Sequence, residues 1–176
     1  MSRAWRQRRE REPGEAAAGR GTGLAISLRG DLGAGKTVFV KGLARGMGID
    51  EELVSSPTFV LANEYPSLAN GLALHHVDFY RLEAAGELES MGFYDLMVPN
   101  ALLAVEWGSK FSEELPLDRI DMTIETDAER TPEGRVISAW GTGPRTRGLL
   151  PEWRRLLAAG GRATSMEAGN SGSWNF

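Results

Sequence analysis

"LAISLRGDLGAGKTVFVKGL", residues 24–43, decides the architecture. Leu24, Ile26 and Leu28 alternate as on one face of a strand, and the run stops at Gly30. Phe39, Leu43 and Met47 then recur at helical spacing until Gly48. Between strand and helix lies "GDLGAGKT", Gly30 to Thr37, which satisfies G-x-x-x-x-G-K-[ST] at every fixed position. Gly30, Gly33 and Gly35 let the backbone turn where a side chain would clash. The N–H groups of the loop, through Asp31, Leu32, Gly33, Ala34 and Gly35, can then point into one concavity. A di- or triphosphate satisfies such groups, and the following helix adds its positive end. Lys36 is placed to reach the β- and γ-phosphates, and the Thr37 hydroxyl to be a Mg²⁺ ligand. The expectation is a nucleotide loop.

A phosphate loop of this kind needs a second carboxylate on a neighbouring strand to hold the magnesium, directly or through water. Two places offer one. "LLAVE" is four apolar residues ending in Glu106, which suits an acid at the carboxyl end of a central strand. "HHVD" ends similarly in Asp78, with less apolar flanks. Either acid fits as the ligand, and the other then orients the attacking water.

Around these, strand-like and helix-like pieces alternate. "TFVLANEY" and "LALHHVDFY" read as strands, and "AAGELESMGFYDLM" as a helix carrying Leu88, Met91 and Leu96 on one face. "ALLAVEW" has the continuous apolar character of a strand buried on both faces. "DRIDMTIET" and "GRVISAW" alternate like antiparallel edge strands. "TRGLLPEWRRLLAA" is helical, with Pro151 expected near its start or breaking it. The predicted fold is α/β, a three-layer P-loop sandwich with a mixed, mostly parallel central sheet and antiparallel edge strands. Residues 1–23 and 159–176 are rich in small and polar residues and are read as a leader and a tail, leaving 24–158 as the P-loop domain.

The totals exclude several classes. In 176 residues with a net charge of −4, the surface as a whole is no attractor of nucleic acid. There is no cysteine, which removes disulfides and thiolate chemistry and is compatible with a cytoplasmic setting. No apolar run has the length to span a bilayer, and the first twenty residues lack the apolar centre of a signal peptide. His75 and His76 are the only histidines and have no companions for a zinc site; they read as hydrogen-bonded strand residues. In "SSPTF", Thr58 is either a plain turn residue or a hydroxyl that senses the γ-phosphate. Arg81 is read as pairing with Asp78, with a phosphate or at the surface, and Trp107 as half-buried or packed near the base or phosphates.

"GDLGAGKT", "SSPTF", "HVDFYRL", "GEL" and "VEW", in this order, resemble the TsaE (YjeE) family of small bacterial P-loop ATPases over about residues 24–126, with a weaker echo through "GRVISAWGTGPRTRGLL". The resemblance implies an ATP- and Mg²⁺-dependent subunit that supports formation of threonylcarbamoyladenosine at position 37 of tRNA. Its implied partner is a TsaB–TsaD pair, with tRNA met only through that complex, and turnover by the isolated chain is expected to be slow. Gly33, Gly35, Lys36 and Thr37 match the family's nucleotide loop, Thr58 its switch-like threonine, and Asp78, Glu106 and Trp107 its H-x-D-x-Y-R and E-W positions. On this reading Glu106 and Thr37 hold the metal while Lys36, Asp78 and Glu106 serve catalysis, Asp78 by organising water. The match also raises His76. The family's usual N-terminal helix finds no counterpart in "REREPGEAAAGRGTG", and Val38 stands where a second threonine is common. A free-standing small-molecule kinase would need an arginine-bearing lid, for which the short acidic "SKFSEELPLDR" is a poor source. A GTPase would need N-K-x-D, which does not occur. A non-hydrolysing nucleotide-binding scaffold is the remaining alternative.

Overall fold

The computed structural model describes residues 23–66, 71–127, 134–159 and 171–175. Its elements are β1 (Leu24–Arg29), α1 (Lys36–Gly46), β2 (Ala62–Pro66), β3 (Ala73–Asp78), α2 (Glu87–Ser90), β4 (Ala101–Glu106), β5 (Ile120–Thr126), β6 (Arg135–Gly141), α3 (Pro144–Ala159) and β7 (Ser171–Asn175). Short 3₁₀ turns cover Glu51–Leu53, Phe93–Leu96 and Gly108–Glu114. The strands form one sheet in the order β2-β3-β4-β1-β5-β6-β7. β3, β4, β1 and β5 run parallel, and β2, β6 and β7 join by antiparallel pairing. This is the mixed, mostly parallel sheet expected.

Apolar side chains close both faces. Ile26 and Leu28 of β1, Ala104 of β4 and Met122 and Ile124 of β5 pack with Val40 and Ala44 of α1 and Leu150 of α3. On the other face Ala25, Val77, Leu103 and Val105 meet Leu88 of α2, Phe93, Leu96 and Leu115. Each fully buried large side chain contributes about 1.5–3 kcal/mol by leaving water. Two layers of this kind hold the carboxyl ends of four parallel strands at one rim, where the glycine loop emerges.

Several boundaries differ from the sequence reading. β5 is an interior strand, parallel to β1 through Ile26–Ile120 and Leu28–Met122, and β6 lies between β5 and β7, so neither is an edge. Their alternation reflects one well-packed face, not an edge position. Strand β2 begins only at Ala62; residues 58–60 turn instead, with the Leu61 N–H bonded to Pro57 O at 2.6 Å and Leu61 at φ 69°. The long helix expected over 84–97 is cut to α2, because Gly92 enters the left-handed region at φ 72° and a 3₁₀ turn follows. α3 starts at Pro144, which suits a first helical position, and runs through Pro151 without ending. Its start is fixed from a distance: Asp118 accepts the Arg145 and Thr146 backbone N–H groups at 2.9 and 3.0 Å and the Thr146 hydroxyl at 2.6 Å. Within the stretch read as a tail, β7 pairs with β6. The expected leader, up to residue 22, lies outside the described residues.

Candidate active site

The glycine loop needs its glycines for backbone reasons. Gly30, Gly33 and Gly35 sit at φ 147°, 80° and 107°, all in the range that disfavours side chains. A Cβ on Gly30 would also meet Ile124 O at 2.3 Å, so β5 leaves the loop no room there. The loop is held from outside as well, because Arg135 Nε donates to Ala34 O at 3.0 Å from the start of β6.

Lys36, the first residue of α1, turns back over the loop. Its ammonium donates to Gly30 O and Asp31 O, both at 2.8 Å, and lies 4.3 Å from the centre of the Trp107 ring. Only 4% of Lys36 is exposed. Burial holds its ammonium below the usual lysine range, against the attraction of Glu106, Asp78 and Asp31, which favours the charge. Trp107 takes this position with φ 58°, a conformation rare outside glycine, and its ring also packs against Tyr80 at 5.2 Å.

The two candidate acids face each other in register at the ends of β3 and β4, yet they hold different partners. Glu106, 4% exposed, accepts the Thr37 hydroxyl at 2.7 Å and His76 Nε2 at 2.9 Å, both on Oε1. Asp78, 2% exposed, accepts the Thr58 hydroxyl at 2.6 Å and the Ser56 hydroxyl at 3.2 Å on Oδ2, and the Tyr80 N–H at 2.8 Å on Oδ1. Thus Glu106 closes onto the loop and Asp78 onto the turn before β2. A cavity of about 320 Å³ lies between them, lined by the backbone of Leu32, Gly33 and Gly35 and by Lys36, Thr37, Thr58, Asp78, Glu106 and Trp107. On the β5 side of the loop a second cavity of about 730 Å³ runs past Asp31, Ala34, Trp107 and Lys110.

Arg81 pairs with no carboxylate among the described residues; its guanidinium lies 4.1 Å from the centre of the exposed Phe59 ring, because the chain has left β3 by then and faces the 57–61 turn. Lys110 donates to Tyr80 O and Leu82 O at 2.9 and 2.6 Å, which ties the "SKFSEEL" segment down against the loop after β3. His75 bonds Leu96 O through Nδ1 at 2.7 Å, a structural contact. Sequence reasoning missed the grip of Arg135 on Ala34 and the contact of His76 with Glu106. The first had no signal at that separation. The second had one: His76 stands two residues before Asp78, so both project from the same face of β3.

A strand, a glycine loop folded around a buried lysine, and a helix-borne threonine bonded to an acid on the neighbouring parallel strand define a P-loop protein of the nucleotide-binding α/β class. The family model described as "Threonylcarbamoyl adenosine biosynthesis protein TsaE" matches residues 7–136. The chain belongs to the TsaE family. It is similar to the tRNA threonylcarbamoyladenosine biosynthesis protein TsaE of Streptomyces coelicolor, 42% identical over 126 residues, spanning 70% of this chain and 83% of that one. The TsaE protein of Bacillus subtilis is 37% identical over 133 residues, 76% of this chain and 79% of the relative. The crystal structure of Bacillus subtilis YdiB superposes with a TM-score of 0.56 at 31% identity, covering 77% of this chain and 80% of that one. The family match starts at residue 7, so the likeness reaches into the stretch before β1 where the motif reading found no counterpart. No helix among the described residues is long and apolar enough to cross a membrane.

Proposed function

We propose that the chain binds ATP with Mg²⁺ and hydrolyses it, as a subunit that supports threonylcarbamoylation of adenosine 37 in tRNA together with a TsaB–TsaD-type pair. The observation that carries the reading is the bond from the Thr37 hydroxyl to Glu106 Oε1 at 2.7 Å, at the mouth of a loop that already buries Lys36. With its proton given to the carboxylate, the threonine oxygen keeps lone pairs for a cation. Glu106 lines the same cavity, and its Oε2 has no hydrogen-bond partner among the described residues. Two oxygen donors of this kind suit a hard divalent cation, and Mg²⁺ is the one that accompanies nucleotide phosphates. When bound, the ion supplies charge neutralisation at the β- and γ-phosphates.

The chain's own residues do the rest. The loop N–H groups and Lys36 bind and orient the phosphates, for which Lys36 exchanges its two loop carbonyls for phosphate oxygens. Asp78 keeps Thr58 and Ser56 over the cavity and orders the water that attacks. Trp107 and Tyr80 cover the lysine and exclude bulk water. No arginine reaches the cavity among the described residues, so turnover by the chain alone is slow and a partner accelerates it. ATP hydrolysis by the purified chain, alone and with the partner pair, tests this against Lys36→Ala and Glu106→Ala. Stimulation that both substitutions abolish supports the reading, and nucleotide binding without hydrolysis in either setting refutes it.

A further inference from the structure

Glu106 enters the cavity with one oxygen tied twice and the other untied. Oε1 accepts both the Thr37 hydroxyl and His76 Nε2, at 2.7 and 2.9 Å, while Oε2 has no hydrogen-bond partner among the described residues, on a side chain that lines the cavity. One hydrogen bond would leave the carboxylate free to rotate about its last bond, and a second donor from another direction removes that freedom. His76 can supply it because its register partner on β4 is Ala104, two residues before Glu106, so both side chains leave the sheet on the same face.

His76 is wholly buried, and its other nitrogen, Nδ1, has no hydrogen-bond partner among the described residues. A buried ring nitrogen without a partner costs stability that an apolar residue of similar size would not. Its surroundings under α1, with Leu74 and Ala104 in the same core cluster, would accept such a residue. The contact with Glu106 is therefore what a histidine gains the protein at this position, and such local costs concentrate at functional sites.

We propose that His76 is a positioning residue. Its Nε2–H pins Glu106 Oε1, which keeps Oε2 turned to the cavity and keeps the Thr37 proton on the carboxylate, so that two oxygens are aligned for the cation before it arrives. His76 itself touches neither nucleotide nor metal. The inference rests on the nucleotide–metal reading of the loop. Partners that orient a ligating carboxylate in this way are worth about 10- to 100-fold in metal affinity.

The test compares His76→Gln with His76→Met. The glutamine end amide lies about as far from the backbone as the histidine Nε2 and donates a hydrogen bond; methionine has the length without the donor. Mn²⁺ binding with ADP is read by electron paramagnetic resonance, mant-ADP affinity in EDTA by fluorescence, and folding by thermal melting. The Met variant is expected to lose about 10- to 100-fold in Mn²⁺ affinity with mant-ADP affinity in EDTA unchanged, and the Gln variant to recover most of it. A space-filling role predicts the reverse order, since methionine is the better core residue. Mn²⁺ binding by the Met variant equal to wild type, or no better binding by Gln than by Met, overturns the inference. Should neither variant fold, long-range ¹H–¹⁵N spectra of the wild type decide: the proton must sit on Nε2 of His76, and a proton on Nδ1 with Nε2 bare overturns it. A wild-type chain that binds nucleotide but no Mn²⁺ refutes the metal reading itself, a failure distinct from wild-type binding that the Met substitution leaves intact.

Discussion

Replacing Lys36 by methionine separates what the lysine does for the fold from what it does for a phosphate. In the unliganded chain the substitution removes two charge-assisted hydrogen bonds, to Gly30 O and Asp31 O. Bonds of that type are worth about 1.5–3 kcal/mol each, and the Trp107 contact adds about 0.5–2 kcal/mol. Against this stands the desolvation of an ammonium that is 4% exposed, a cost of several kcal/mol per ion. The balance is visible in the molecule, since burial outweighs the attraction of three carboxylates and lowers the lysine pKa. The charge is less comfortable there than in water. Of the two carbonyls left behind, Asp31 O keeps the Ala34 N–H at 3.1 Å, so only Gly30 O loses its partner. Lys36→Met should therefore melt within about 2 kcal/mol of wild type, or about 4–8 °C for a domain of this size. Affinity for a triphosphate should fall far more. Two charge-assisted bonds to phosphate are worth about 3–6 kcal/mol, a loss of at least about 100-fold. Differential scanning fluorimetry without ligand and calorimetric titration with a non-hydrolysable ATP analogue measure the two effects. A variant that binds the analogue within about tenfold of wild type would refute the assignment of Lys36 to the phosphates. One that melts more than about 10 °C lower would refute the account of a poorly solvated ammonium.

Thr58→Val removes the hydroxyl that donates to Asp78 Oδ2 at 2.6 Å and leaves that oxygen only Ser56 at 3.2 Å. Single-turnover hydrolysis should slow by at least about tenfold while nucleotide affinity changes by less than about threefold, and equal losses in both would contradict a role confined to the reacting state. Gly30→Ala forces a Cβ to 2.3 Å from Ile124 O at φ 147°, whereas Gly33 at φ 80° faces open space. Urea denaturation should show Gly33→Ala costing about 1–2 kcal/mol and Gly30→Ala clearly more. Burial works against the Asp118 carboxylate, but the Thr146 hydroxyl, the Thr146 and Arg145 N–H groups and the Arg145 charge together hold it below the ordinary 3.8. A native pKa below the unfolded one means that the unfolded chain takes up the proton first as the pH falls. The stabilisation is thus present above pH 3.8 and lost below it. Asp118→Asn should lower the melting temperature at pH 7, and the gap to wild type should narrow as the pH falls below 3.8; a gap that does not narrow in acid would point to shape, not charge.

The loop, its flanking strand and helix, and the buried β4 were legible because each is specified locally, by glycine geometry or by an unbroken apolar run. The misread segments are those decided at a distance. β5 looks like an edge strand because its polar face, Asp121 and Thr123, is only partly covered, yet β1 pairs with Ile120 to Thr123 on one side and β6 with the whole strand on the other. The start of α3 depends on Asp118, which lies 27 residues before Arg145, and no reading of the helix's own residues supplies that cap. Phe59 and Val60 have strand-forming side chains but sit in a turn, 81% and 65% exposed, because Asp78 draws Thr58 and Ser56 toward the cavity. In each case local propensity yields to a partner that sequence spacing does not reveal.

The different partners of Asp78 and Glu106 have the same origin. Both end parallel strands in register, so register alone does not separate them. What differs is strand order: β4 is the immediate neighbour of β1, and β3 lies one strand further out. Neighbouring strands are about 4.8 Å apart, so the step from β4 to β3 is longer than a hydrogen bond. A threonine at the start of the helix that follows β1 therefore meets the carboxylate of β4, and Thr37 bonds Glu106. The carboxylate of β3 is left for the next chain segment on its outer side, the turn ahead of β2, and takes Thr58 and Ser56. The order of strands thus divides two acids into one that faces the loop and one that holds the turn before β2. It also sets His76, two residues back on β3, beside the acid of β4 and not its own. A substitution exchanging the two acids, Asp78→Glu with Glu106→Asp, keeps the charge and changes only reach, so it should cost metal affinity through Glu106→Asp and turnover through Asp78→Glu; equal effects of both on metal affinity would show that strand order does not assign the roles.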